Sequence, residues 1–186
     1  MIGYALTGSF CTISQSIEAA QGLIDKGYDI LPIMSEWAYS TNTRFGEAEY
    51  IARKFSNICG RDIIHTIVDA EPLGPKIGLE AMIISPCTGN TLAKLANGIT
   101  DSAVCMAAKA HLRNNKPLII ALATNDALSA NLKNIGMLFS RKNVYFVPME
   151  QDAPLTKPYS LVADFTKIEE TLSLALQGKQ YAKLFI

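Results

Sequence analysis

Short apolar runs alternate along this chain with stretches whose apolar residues recur at helical spacing, and the alternation predicts its elements in order. Ile2 to Thr7 reads as a first strand, with Gly8 and Ser9 as turn residues after it. From Ile13 to Lys26 the apolar positions Ile13, Ile17, Ala20, Leu23 and Ile24 mark a helix, and Gly27 sits where a helix stop belongs. Tyr28 to Met34 is a second strand ending at Ser35, and Phe45 to Ile58 is the next helix, with Gly60 beyond it. The isoleucine-rich run Asp62 to Val68 predicts a third strand, followed by a loop from Asp69 to Gly78 that contains Pro72, Gly74 and Pro75. Ala81 to Ser85 is the fourth strand, with helical stretches at Thr91 to Ala96 and Ser102 to Asn114. Pro117 to Ala123 is the fifth strand, Ala127 to Ser140 a helix, and Val144 to Val147 the sixth strand. A proline-containing stretch, Pro148 to Pro158, leads to a last helix from Thr166 to Leu176.

Strands and helices in this order argue for an α/β fold: a Rossmann-like or flavodoxin-like three-layer sandwich with a mostly parallel six-stranded sheet. No repeat or linker divides the chain, so residues 1–186 are expected to form a single domain, with residues from about 148 to 186 as a C-terminal extension. Apolar residues make up 49% of it, which argues against disorder and suggests extensive burial, oligomer interfaces included. Seventeen basic residues balance seventeen acidic ones without a basic run, which argues against nucleic acid or an anionic membrane as partner. Cys11, Cys59, Cys87 and Cys105 form no C-x-x-C pair, and with only His65 and His111 beside them no metal site is expected. No apolar stretch approaches the ~18 residues of a membrane span, and no charged leader precedes the apolar start, so a cytoplasmic location is expected.

Candidate chemistry collects at predicted strand ends, where open α/β sheets bind ligands. After strand one, Thr7-Gly8-Ser9-Phe10 places a glycine where the backbone either approaches a phosphate or simply turns into a helix. It is not the G-x-G-x-x-G pattern of dinucleotide sites. Ser35 either binds a phosphate oxygen or caps a local turn. Trp37, Tyr39 and Phe45 after it either cover an aromatic ring or bury a loop or an oligomer contact. The run from Pro86 to Ser102 opens on Thr88, Gly89, Asn90 and Thr91; a helix cap explains one of these polar residues but not four, which favours a site. At the end of strand five, Asn125 or Asp126 caps the following helix, or Asn125 faces the same crevice as Asn90. His65 reads as structural, His111 as a surface residue and Cys87 as a small buried one. Lys76 and Arg44 are loop cations, either solvated or available to an anionic substrate.

These motifs together resemble the homo-oligomeric FMN-binding cysteine decarboxylase family of flavoproteins, which includes phosphopantothenoylcysteine and lantibiotic cysteine decarboxylases and the flavin prenyltransferases. The resemblance covers about residues 1–150 and is most specific where Pro86-Cys87-Thr88-Gly89-Asn90-Thr91 matches the family's proline-alanine-serine-alanine-asparagine-threonine signature. Three segments favour a branch from spore-forming bacteria: Ser35-Glu36-Trp37-Ala38-Tyr39, the loop Asp69 to Lys76, and Ala121 to Leu128. That branch implies a partner, the A subunit of a two-component synthase. The pair would oxidise dihydrodipicolinate, a small anionic substrate, to dipicolinate in the mother cell. The partner would hold the nicotinamide cofactor, NADP.

Carried over by position, the resemblance implies that Gly8, Ser9 and Phe10 hold the phosphate and ribityl side of FMN, with Ser35 on the phosphate. Thr88, Asn90 and Thr91 would line the ring and substrate, and Ser102 and Ala103 would add backbone N–H groups. Asn125 matches an asparagine that binds the substrate carboxylate, so Asn90 and Asn125 are the expected catalytic pair, with Lys76 as a further carboxylate ligand. The chain departs from the decarboxylases in three places. Pro72 to Lys76 stands where they carry a catalytic histidine, Leu122-Ala123-Thr124-Asn125 replaces proline-alanine-methionine-asparagine, and their reducing cysteine motif is missing. Decarboxylation is therefore disfavoured, while a flavin-shaped crevice survives. The alternatives are an FMN-dependent decarboxylase or prenyltransferase, or a non-catalytic scaffold for the partner.

Overall fold

A computed structural model describes residues 1–74 and 77–186. Its centre is a sheet whose strands β1 (Ile2–Leu6), β2 (Ile30–Met34), β3 (Ala81–Cys87), β4 (Leu118–Thr124) and β5 (Val144–Phe146) run parallel in the order β2-β1-β3-β4-β5. That is the flavodoxin-like order. β1 to β4 are nearly all buried, because helices cover both faces, and this is why they read as unbroken apolar runs rather than alternating ones.

Period-two geometry divides those runs between two cores. Met82 and Ile84 of β3 and Leu118, Ile120 and Leu122 of β4 face one side, against α5 (Gly89–Ala96), α6 (Ala103–Leu112) and α7 (Leu132–Phe139). Ala81 and Ile83 of β3 and Ile119 and Ala121 of β4 face the other. There they meet α1 (Ile13–Asp25), α3 (Ala48–Cys59) and α8 (Ile168–Leu176). Gly60 ends α3 with φ 62°, a left-handed stop that glycine adopts without strain.

The sheet has seven strands instead of six. The expected third strand, Asp62 to Val68, is reduced to one bridge, where Ile64 exchanges hydrogen bonds with Pro32 and Met34. The Thr66 hydroxyl then accepts from Asp69 N–H and turns the chain into α4 (Ile67–Ala70). A local cap thus outcompetes the β-propensity of the isoleucines. Two strands with no run long enough to predict them, β6 (Met149–Glu150) and β7 (Leu161–Ala163), form an antiparallel annex. β4 pairs with β5 along its first half and with β7 at Ala123 and Thr124, so the annex borders its carboxyl end. The helix expected from Ala127 begins only at Leu132, after turns built on Asp126. A five-residue helix, α2 (Glu36–Ser40), follows β2. Among the described residues no helix is long and apolar enough to cross a membrane, and no cluster of three or more His, Cys, Asp or Glu could hold a metal ion.

His111, expected at the surface, is wholly buried on α6, with Nε2 2.9 Å from the Pro117 carbonyl and Nδ1 without a partner. Nε2 therefore carries the proton, and burial pushes the imidazole below its ordinary pKa. A group depressed in this way stays neutral when folded but takes up a proton when unfolded as pH falls below about 6.5. Stability is thus expected to fall as pH drops through that value, and His111→Gln should flatten the trend. Thermal midpoints between pH 7.5 and 5 check this; an unchanged slope in the variant contradicts it.

Candidate functional site

Because the strand order reverses at β1, the loops leaving β1 and β3 diverge and open a gap at their carboxyl ends. The gap is a crevice of about 970 Å³. Gly8 and Ser9 come to it from the end of β1, Thr88 from β3, and Thr124 and Asn125 from β4. The floor is held by Thr7, which is buried at 1% exposure. Its hydroxyl donates to the Pro86 carbonyl at 2.7 Å and accepts from Thr88 N–H at 3.0 Å, locking the end of β1 to the end of β3.

The side toward the annex is charged. Glu18 of α1 and Glu150, Asp152 and Asp164 of the annex line it, against one ammonium among the described residues, Lys157. Lys157 lies 2.8 Å from Asp152, and this hydrogen-bonded ion pair holds the Asp152 carboxyl below the usual carboxylate range. Asp164 accepts from Thr166 N–H and hydroxyl. An anion entering the crevice is repelled from this side and drawn to the neutral donors at the strand ends.

The residues expected from sequence divide into separate groups. Gly8, Ser9, Thr88 and Asn125 share the crevice. Phe10, half-buried in the turn after β1, lies beside it, its ring 3.5 Å from where a Cβ on Gly8 would stand. Thr88 is also the N-cap of α5, accepting from Thr91 N–H at 3.1 Å and donating to the Thr91 hydroxyl, and Thr91 is thereby buried in the cap. Asn90 is exposed at the start of α5 and is not among the residues lining the crevice. Ser35, Ser102 and Ala103 lie elsewhere, at the junction of α2 and α6. Ser35 accepts from Ala38 N–H at 3.3 Å and Ser102 from Cys105 N–H at 3.2 Å, so each caps a helix. Ala103 N–H is bonded to Glu36 Oε1 at 2.9 Å. Lys76 lies outside the described residues, and Arg44 stacks 4.8 Å above the Phe45 ring.

Several contributors carried no distinct sequence signal. Asp126 accepts from Thr124 Oγ1 at 2.6 Å and from Asn131 Nδ2 at 2.9 Å, and Asn134 donates in turn to Asn131. Gly89 fits against this network so closely that a Cβ would stand 2.6 Å from Asn131 Nδ2 and Thr124 Oγ1. His65 stacks on Tyr39 with ring centroids 3.8 Å apart, the structural role expected of it. Cys87 is fully buried, and burial pushes its thiol up, away from nucleophilic use.

A flavin fits part of this arrangement. The crevice offers an open glycine turn, hydroxyls including Ser9 and Thr88, and the Asn125 amide, whereas the Ser35 and Ser102 hydroxyls each cap a helix and the Ala103 N–H is bonded to Glu36. The family model described as Flavoprotein matches residues 1–172. The B subunit of dipicolinate synthase from Bacillus subtilis (strain 168) is 43% identical over 185 residues, covering 100% of this chain and 92% of its own length. The crystal structure of the dipicolinate synthase B subunit from Bacillus halodurans superimposes with a TM-score of 0.91 at 43% identity, covering 100% of this chain and 95% of that one. The FMN-dependent cysteine decarboxylase SpaF shares the fold, with a TM-score of 0.68 at 20% identity over 95% of this chain and 94% of its own. The chain belongs to the flavoprotein family, and over its whole length it is similar to the B subunit of dipicolinate synthase.

Proposed function

We propose that this chain is the B subunit of a dipicolinate synthase. With the A subunit of that synthase it would oxidise dihydrodipicolinate to dipicolinate in the cytoplasm of the mother cell during sporulation, with FMN bound in the crevice. The observation that carries the reading is the convergence of Gly8, Ser9, Thr88 and Asn125 on one crevice at the reversal of strand order. When bound, FMN supplies an acceptor for the hydride lost in the oxidation. The chain's own residues bind and orient. Gly8 and Ser9 offer close backbone approach and a hydroxyl, Thr88 borders the ring, and Asn125 donates its amide N–H to a substrate carboxylate. Glu18, Glu150 and Asp164 repel both carboxylates and so turn the substrate toward the strand ends. NADP is assigned to the partner. A homo-oligomer belongs to the same reading, and Trp37 and Val68, 72% and 80% exposed, are the apolar surface it would cover.

The test is product formation from dihydrodipicolinate by the purified chain with its synthase partner and NADP. Losing a hydrogen bond to a charged group costs about 1.5–3 kcal/mol, so Asn125→Ala is expected to slow the reaction about 10- to 100-fold. Absence of product with both components present contradicts the proposal. An Asn125→Ala rate equal to wild type would leave this chain a scaffold for its partner.

A further inference from the structure

A second groove lies apart from the crevice, beyond the β2 edge of the sheet. It has a volume of about 640 Å³ and runs between the end of α2, one face of α3 and the segment from Asp62 to His65. The α3 side is floored by Ala48 and Ala52, both buried and too small to fill the space. Tyr39 and His65, stacked with ring centroids 3.8 Å apart, supply an aromatic wall. His65 Nδ1 lies 3.2 Å from the Ile63 carbonyl and donates to it, which leaves Nε2 of the neutral ring as an acceptor. Asn42 uses its Oδ1 on Ala48 N–H at 2.9 Å, and its amide N–H groups remain donors.

Three exposed charges stand around this wall: Glu49 and Arg53 of α3, and Asp62. Glu49 precedes Arg53 by four residues, the order that favours an ion pair along a helix. Among the described residues Arg53 nonetheless forms no ion pair, whereas the nearby Arg61 meets both oxygens of Asp29 at 2.9 Å. Charges of both signs thus border one cavity without neutralising each other. We propose that this groove binds a small zwitterion with a flat ring, of the aromatic α-amino acid class. Its carboxylate meets Arg53 and the Asn42 amide, its ammonium meets Glu49 and Asp62, and its ring packs along Tyr39 and His65. Two carboxylates against one guanidinium repel a dianion, which separates this site from the crevice and its proposed substrate. The two cavities share no lining residue, so the inference is independent of the flavin reading.

Equilibrium dialysis with labelled L-phenylalanine is the test, each protein being checked for folding by circular dichroism. Wild type is expected to bind it in the millimolar range, unaffected by excess FMN. Removing one charged partner should weaken binding about three- to tenfold, the effect of a partly exposed charged hydrogen bond. That loss is expected for Arg53→Gln and for the Glu49→Gln, Asp62→Asn double variant. It is also expected when 3-phenylpropionate, which lacks the ammonium, or phenethylamine, which lacks the carboxylate, replaces phenylalanine on wild type. The double variant should no longer distinguish phenylalanine from 3-phenylpropionate, and Arg53→Gln should no longer distinguish it from phenethylamine. A merely structural role for these side chains would leave both preferences intact. No binding by folded wild type overturns the inference, as do unchanged preferences in the variants. Displacement of phenylalanine by FMN also overturns it, since the ligand would then lie in the crevice.

Discussion

Gly89→Ala is expected to destabilise the protein by about 1–3 kcal/mol, the range for forcing an extra methyl into a packed site. The change would ordinarily favour a helix by about 1 kcal/mol at an interior position. Here the sign is set by contact: the new Cβ would stand 2.6 Å from Thr124 Oγ1 and Asn131 Nδ2 and 2.8 Å from Asp126 Oδ1. Those atoms are not loose side-chain ends. Thr124 and Asn131 both donate to Asp126, and Asn131 accepts from Asn134, so moving one breaks the set. Because Thr124 and Asn125 line the crevice, the substitution should weaken ligand binding as well as lower the urea midpoint. An unchanged midpoint would mean that the network yields without cost.

Thr7→Val is expected to cost about 2–6 kcal/mol, since it leaves two enclosed backbone groups unpaired at about 1–3 kcal/mol each. Valine matches threonine in shape, so packing is kept and only the hydroxyl is lost. The Pro86 carbonyl loses its donor at 2.7 Å and Thr88 N–H its acceptor at 3.0 Å. For a chain of this length the thermal midpoint should fall by roughly 4–24 °C. Equilibrium urea unfolding measures the cost directly. A loss below about 0.5 kcal/mol would show that the clamp between β1 and β3 is dispensable.

The scaffold was legible because its signals are strong and local. β1 to β4 are buried on both faces and appear as uninterrupted apolar runs, and the helices between them keep their spacing. Where periodicity misled, a competing interaction explains it. Isoleucines suggested a strand at Asp62 to Val68, but the Thr66 cap takes the chain into α4. β6 and β7 are only two and three residues long and are fixed by pairing across the chain rather than by pattern. His111 sits among basic residues in sequence yet is buried, because the helix turns it toward the Pro117 carbonyl.

The site was legible as a set of loops rather than as roles. Strand-end residues Gly8, Ser9, Thr88 and Asn125 could be found because topology brings such loops together. Thr7 lay within the motif that drew attention to Gly8, but a hydroxyl bonded 79 positions away leaves no trace in local sequence. Glu36 is hidden for the same reason: nothing near it indicates that its partner is Ala103. The carboxylates of the annex form no local motif; the pairing of β7 with β4 is what brings them to the crevice.

Central to the proposed function is flavin binding in the crevice at the ends of β1, β3 and β4. The most direct measurement is the visible absorption spectrum of the protein after incubation with excess FMN and desalting. A retained flavin band, close to one per chain and lost in Gly89→Ala, is the predicted result. A flat spectrum from folded wild-type protein would contradict the claim.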